Sequence, residues 1–233
     1  MRSRFFVVLA SLALITGLTA PLAGKASAAD CADVQLVFAR GTQEAGAPLG
    51  VTGAAMYASL QKRFPGKDVR VSAVHYEASD QFEAGVDFLR TVAVGVRNTQ
   101  GQLRGISSRC PGTRIVLGGY SQGAVVATYA VSDQLGAVAP VVREVPGPLP
   151  VSIARHVAGV VLFGAPSPRW FREARVPPMR VGPAYAAKTR SYCIPGDNIC
   201  DGGPIDRPNT VHGLYAVNGM TDAAANFVAA RIR

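Results

Sequence analysis

Residues 115–123 read Ile115-Val116-Leu117-Gly118-Gly119-Tyr120-Ser121-Gln122-Gly123, and helix-forming residues follow directly through 124–130. An apolar run thus leads into G-x-S-x-G and then into a helix. A sharp strand-to-helix turn of this type lifts a serine Oγ clear of its sheet and into reach of a substrate carbonyl. The glycines let neighbouring backbones pack closely, and one residue of the turn must tolerate strained dihedrals. The five-residue pattern alone is weak, since small residues cluster by chance in a chain with 25 glycines. An ordinary glycine-rich turn is the competing reading. Context favours the nucleophile: a buried strand before, a helix after, and partners downstream in the required order.

A serine hydroxyl is a poor nucleophile until a base takes its proton, and an imidazole, with an ordinary pKa of about 6.5, suits that task. The chain has three histidines. The order Ser, acid, His expected after such a turn excludes His75. His156 just precedes an apolar run, at the wrong end of an expected strand. His212, in Thr210-Val211-His212-Gly213, follows all the expected strands and is the candidate base. The acid could be Asp197, Asp201 or Asp206, because Glu173 comes too early, in a basic loop. Asp197 follows the last expected strand inside Cys193-Ile194-Pro195-Gly196-Asp197-Asn198-Ile199-Cys200. Asp201 beside Gly202-Gly203 and Asp206 beside Arg207-Pro208 read as solvated turn residues. Asp197 is itself a turn-type residue, and the cysteines that flank it are what favour it.

The N-terminus reads as an export signal over 1–28. Arg2 and Arg4 precede an apolar run over 5–18, and Ala26-Ser27-Ala28 offers a small-x-small cleavage site. The run is about 14 residues, short of the roughly 20 that span a bilayer. Asp30 before Cys31 argues against a lipoprotein. Residues 29–233 are then expected to form a single domain, secreted or cell-wall associated. In an exported chain, four cysteines suggest two disulfides with three possible pairings. The turn-forming residues of 195–198 favour a local Cys193–Cys200 bridge, which leaves Cys31 to pair with Cys110. Loop-closure entropy assigns about 4.5 kcal/mol to the long bridge and about 2.5 to the short one.

Losing Arg2, Arg4 and Lys25 with the leader takes the formal charge from +9 to +6. The remaining cations are scattered, with a modest cluster at Arg169, Arg172, Arg175 and Arg180, and no aromatic residues interleave with them. Nucleic acid is not an expected partner. Weak association with anionic lipid or cell-wall surfaces is compatible with this charge.

Apolar, β-rich runs over 34–39, 69–76, 115–120, 157–163 and 189–194 predict strands. Helical spacing over 52–64, 80–102, 122–135 and 221–232 predicts the helices between and after them. Such alternation implies an α/β fold with a short, mainly parallel sheet and helices on both faces. Pro-rich stretches over 136–155 and 166–188 read as loops that could line a site.

Over nearly all of residues 29–233 the chain resembles the cutinase family, and most of all the cutinase-like proteins of actinobacteria. The resemblance is carried by Phe38-Ala39-Arg40-Gly41-Thr42, Gly119-Tyr120-Ser121-Gln122-Gly123, Cys193-x3-Asp197-x2-Cys200 and His212. It implies a compact α/β-hydrolase with Ser121 as nucleophile, Asp197 as orienting acid and His212 as base. It also implies an oxyanion hole from the backbone N–H groups of Thr42 and Gln122, and disulfides Cys31–Cys110 and Cys193–Cys200. Many relatives carry serine where Thr42 stands, and the segment 141–150 is longer than the family's. The expected activity is hydrolysis of lipid-like or polymeric esters by a monomer, with no cofactor or metal. Two alternatives remain: an acyltransferase sharing the acyl-enzyme, and a non-catalytic secreted surface or antigen-like protein on this fold.

Overall fold

A computed structural model describes residues 31–80, 86–134, 147–175, 178–204 and 206–232. The expected leader and most of the 141–150 segment lie outside these residues. Five strands, β1 (Val34–Ala39), β2 (Val69–Ala73), β3 (Arg114–Tyr120), β4 (Val157–Phe163) and β5 (Thr189–Tyr192), form one sheet in the order β2-β1-β3-β4-β5. Every neighbouring pair is parallel. β3 and β4 are apolar almost throughout because both of their faces are covered.

Alternation along the strands sorts side chains into two cores. Leu36, Phe38, Val116, Val161 and Phe163 point to one face, where they pack with Met56 and Leu60 of α1 (Val51–Arg63) and Ala224, Ala225 and Val228 of α7 (Met220–Ala229). Val37, Ala39, Ile115 and Leu117 point to the other. There they meet Val96 and Leu103 of α2 (Val86–Arg109) and Ala124, Val126 and Ala127 of α3 (Gln122–Ala130). Short helices α4 (Val151–Ala154), α5 (Pro168–Glu173) and α6 (Pro183–Ala186) occupy stretches that the sequence marks as loops.

The chain leaves β1 for β2 by way of α1 and reaches β3 by way of α2 on the opposite face. The strand order therefore reverses between β1 and β3. In open parallel sheets, the crevice beyond the carboxyl ends of two such strands is where ligands bind. Residues 40–42 follow β1 there, and Ser121 follows β3.

Several element boundaries differ from the sequence reading. α2 was expected over 80–102 but runs to Arg109, passing through Gly95, Gly101 and Gly105. Each glycine costs a helix roughly 1 kcal/mol relative to alanine, and packing overrides that cost. At Gly95 a Cβ would stand 2.9 Å from Val126 Cγ2, so the small residue lets α2 and α3 approach closely. α3 was expected to reach residue 135 and ends at Ala130. Val131 caps it, and the Val131 carbonyl accepts a hydrogen bond from Gly182 N, on the segment leading to α6. β2 and β5 stop at Ala73 and Tyr192, three and two residues early.

Candidate active site

The main chain of Ser121 is fixed by neighbouring backbone. It sits at φ 51° and ψ −118°, outside the comfortable regions for a side-chain-bearing residue, and its N–H donates to Phe163 O of β4 at 2.9 Å. Such strain persists only where the surroundings over-determine it. Here they do: a Cβ on Gly119 would stand 2.2 Å from Gly123 O, and one on Gly123 would stand 1.9 Å from Ala39 O. The two motif glycines therefore let α3 begin hard against β1 and β3. Gln122 is the first residue of α3, so its N–H has no acceptor within the helix and points to the helix's positive end.

The loop after β1 is tied to this turn. Thr42 Oγ1 donates to Gln122 Oε1 at 3.3 Å, and Gln122 Nε2 donates to Ser79 O at 3.4 Å. Gln43 N donates to Ala78 O, and Glu44 Oε2 accepts from Gly41 N at 2.8 Å. The loop that carries Thr42 is thus joined through side chains to Gln122, the residue after Ser121.

His212 lies on a 3₁₀ turn, Thr210–Gly213, capped by Asn209, whose Oδ1 accepts from His212 N at 3.2 Å. Its Nε2 is 2.9 Å from Ser121 Oγ, and its Nδ1 is 2.9 Å from both carboxylate oxygens of Asp197. Tyr120 Oη donates to His212 O at 2.8 Å, so the residue before the serine fixes the backbone of the histidine. Gly164, at φ +54° just past β4, leaves room for the ring; a Cβ there would stand 2.8 Å from His212 Cε1.

Asp197 is fully buried. Burial opposes its ionisation, but donation from His212, from Tyr215 and from Ile199 N outweighs burial, and the carboxyl is held below its ordinary range. Both expected disulfides are formed. Cys193–Cys200 closes the loop around Asp197, with Cys200 Sγ 3.1 Å from Asp197 Oδ2, and Cys31–Cys110 spans 79 positions. Asp201 and Asp206, the other candidate acids, turn to local backbone: they accept from Gly203 N and Arg207 N. Of the other histidines, His156 precedes β4 at the far end of the sheet, and His75 lines a separate groove of about 450 Å³ beside β2.

The structure therefore brings Ser121, His212 and Asp197 into one chain of contacts, with Thr42 and Gln122 beside them. Sequence reasoning passed over Tyr215, Asn209 and Gly164. The signals were present: a tyrosine three residues after the histidine, an Asn cap before it, and a lone glycine at the end of a buried strand.

The cutinase family model matches residues 30–232. The chain belongs to the cutinase family. It is 45% identical over 166 residues to "Probable carboxylesterase Culp7" of Mycobacterium tuberculosis, covering 71% of this chain and 86% of that one. It is 37% identical to "Carboxylesterase Culp1" of the same organism, covering 97% and 93%. Among solved structures it is similar to Trichoderma reesei cutinase in complex with a phosphonate inhibitor. The identity there is 32% and the TM-score 0.63, over 87% of this chain and 78% of that one. The cutinase-like reading of the sequence and its α/β-hydrolase architecture are thereby established.

Proposed function

We propose that the chain is a secreted serine carboxylesterase acting on lipid-like esters through a covalent acyl-serine intermediate. The observation that carries this reading is the unbroken series Asp197–His212–Ser121, with the serine strained outward at the crevice between β1 and β3. Ser121 Oγ attacks the ester carbonyl carbon while His212 Nε2 takes its proton. The carbonyl oxygen, now an anion, is met by the N–H groups of Thr42 and Gln122. His212 then returns the proton to the departing alkoxide, and the alcohol leaves. Water, deprotonated by the same nitrogen, attacks the acyl-serine, and the acid is released with Ser121 regenerated. Buried Asp197 keeps the imidazole in the tautomer with Nε2 free and stabilises its cationic form. A single oxyanion donor of this kind contributes about 3–4 kcal/mol to the transition state.

Support for an apolar substrate comes from exposed apolar residues that follow His212 in the chain. Leu214, which caps the His212 turn, is 41% exposed, and Val217 beyond it is 79% exposed. Large apolar side chains so placed favour contact with acyl chains. The chain acts as a monomer, without metal or cofactor, on a small or polymeric ester, and its mild positive charge suits weak attachment to anionic lipid or cell-wall surfaces. The test is a chain-length series of chromogenic esters with an added alcohol in a parallel arm. Hydrolysis that disappears in Ser121→Ala, with single phosphonate labelling at Ser121, is the expected result. Labelling elsewhere with activity retained overturns the assignment. Acyl transfer to the added alcohol, giving a new ester in excess over free acid, would point to an acyltransferase instead.

A further inference from the structure

Tyr215 is the most thoroughly engaged side chain around the site that the catalytic steps do not use. It is completely buried. Its Oη donates to Asp197 Oδ2 at 2.5 Å, accepts from Ile194 N at 3.1 Å and lies 3.3 Å from Cys200 Sγ. Its ring meets His212 edge-on at 6.2 Å between centroids and packs against Tyr120 and Phe163. One phenol thus touches the acid, the chain leaving β5, the disulfide and the base. A hydroxyl needed only for packing would not require an acceptor as costly to bury as a carboxylate.

The geometry points to Tyr215 as a positioning residue that sets the basicity of the Asp197–His212 pair, as well as its place. This role of Tyr215 rests on the triad proposed for Ser121, His212 and Asp197. A carboxylate that accepts a short hydrogen bond from a phenol is a weaker base than one that accepts none. It therefore stabilises the imidazolium less, and His212 gives its proton to the leaving group more readily. The groups facing the pair are Tyr215 from the turn before α7, Tyr120 from β3 and Ser121 at the elbow; Glu44, from the loop after β1, acts on Tyr120. Burial, and then the hydrogen bond to Asp197, push the Tyr215 phenol far above its ordinary range. It stays a donor throughout the range in which esterases are assayed.

Tyr215→Phe keeps the ring and removes only the donor. Without it the carboxylate becomes a stronger base, the imidazolium is stabilised, and the acid limb of kcat/KM moves to higher pH by about half a unit, part of the value of one charge-assisted hydrogen bond. Turnover falls about tenfold, while KM changes little, because Tyr215 is buried beneath the histidine. Tyr57→Phe, which removes a phenol that donates to Val69 O at 3.1 Å away from the site, leaves the limb in place. A Tyr215→Phe enzyme that melts earlier but keeps its acid limb overturns the proposal and leaves Tyr215 as packing. Should that variant fail to fold, fluorotyrosines of rising acidity at 215 decide the matter. A limb that moves progressively to lower pH supports the assignment, and a stationary one overturns it. Phosphonate labelling of the wild type separates the two readings, since failure to label Ser121 defeats the triad and not the role of Tyr215 alone.

Discussion

The serine side of the site is contiguous regular structure: a strand, one strained residue and a helix, with glycines at 119 and 123 that allow the backbones to meet. Asp197 and His212 ride on irregular chain between β5 and α7, and are held by side chains. A disulfide closes the loop of Asp197, Tyr215 and Ile199 N anchor its carboxylate, and Asn209 caps the turn of His212 while reaching Gly196 O with its Nδ2 at 2.8 Å. The first arrangement cannot be loosened without disturbing the sheet. The second consists of separable ties, each of which can be cut with the fold in place. A serine fixed by backbone and a histidine–aspartate pair fixed by cross-links should therefore fail differently under mutation.

The largest expected effect lies on the serine side. Ser121→Ala leaves the backbone of the elbow unaltered, so it should fold and melt close to the wild type. Turnover should fall roughly 10⁴-fold or more, as in other triad knockouts. Ester turnover and thermal melts on the same preparation check both halves. A marked loss of melting temperature would mean that the hydroxyl contributes to holding the elbow, and the contrast between the two sides would blur.

Next comes the short bridge. Replacing Cys193 and Cys200 by alanine adds no new donor near Asp197 Oδ2 and removes the covalent closure of its loop. The entropic loss is about 2.5 kcal/mol for a loop this short. A carboxylate displaced by even about 1 Å orients the imidazole poorly, and errors of that size can cost on the order of 100-fold. Turnover measured well below the melting range should drop by about that factor. Full activity in this variant would show that Tyr215 and Ile199 N suffice to hold Asp197.

The contrast also explains what could be read from the residues. Five strands and the elbow are legible because a buried parallel strand is a continuous apolar run and the elbow is a contiguous pattern. His212 and Asp197 are legible by elimination and order, since few histidines and acids compete. Their supports are not, because Tyr215 touches Asp197 across 18 positions and Gly164 makes room for a ring 48 positions away. Nothing local marks such contacts. Helix ends differ for a related reason: the helical spacing is legible only over 80–102, yet α2 continues to Arg109, next to the cysteine bridged to Cys31. The short helix α5 did carry a local signal, Ser167 accepting from Trp170 N with Pro168 in the first turn, hidden in a stretch read as loop for its prolines.

Cutting the long bridge should give the opposite profile to cutting the short one. Cys31–Cys110 ties the start of the described chain to the end of α2 and touches nothing in the site. Closing about eighty residues, it stabilises by about 4.5 kcal/mol in the chain-entropy picture. The double alanine variant should melt substantially earlier yet keep turnover within a few-fold of wild type at temperatures where it remains folded. A loss of activity matching that of the Cys193/Cys200 variant would erase the distinction between a bridge that stabilises and one that positions.

The smallest expected effect concerns acid. Because hydrogen bonds hold the Asp197 carboxyl below its ordinary range in the folded protein, the unfolded chain binds its proton more readily than the native one. The stability contributed by that ionisation is fully present above the ordinary carboxyl value of about 3.9. It is lost as pH falls from there through the lower value of the native state. Asp197→Asn cannot ionise and so lacks this contribution at any pH. Its melting temperature should therefore lie below that of the wild type near neutrality, and the gap should narrow as both are acidified below pH 4 or so. Thermal melts of the two proteins in matched buffers over that window measure the gap directly. A gap that stays constant into strong acid would mean that Asp197 serves the fold as a hydrogen-bonding shape and not as a charge, and the acid side of the site would then be held by its cross-links alone.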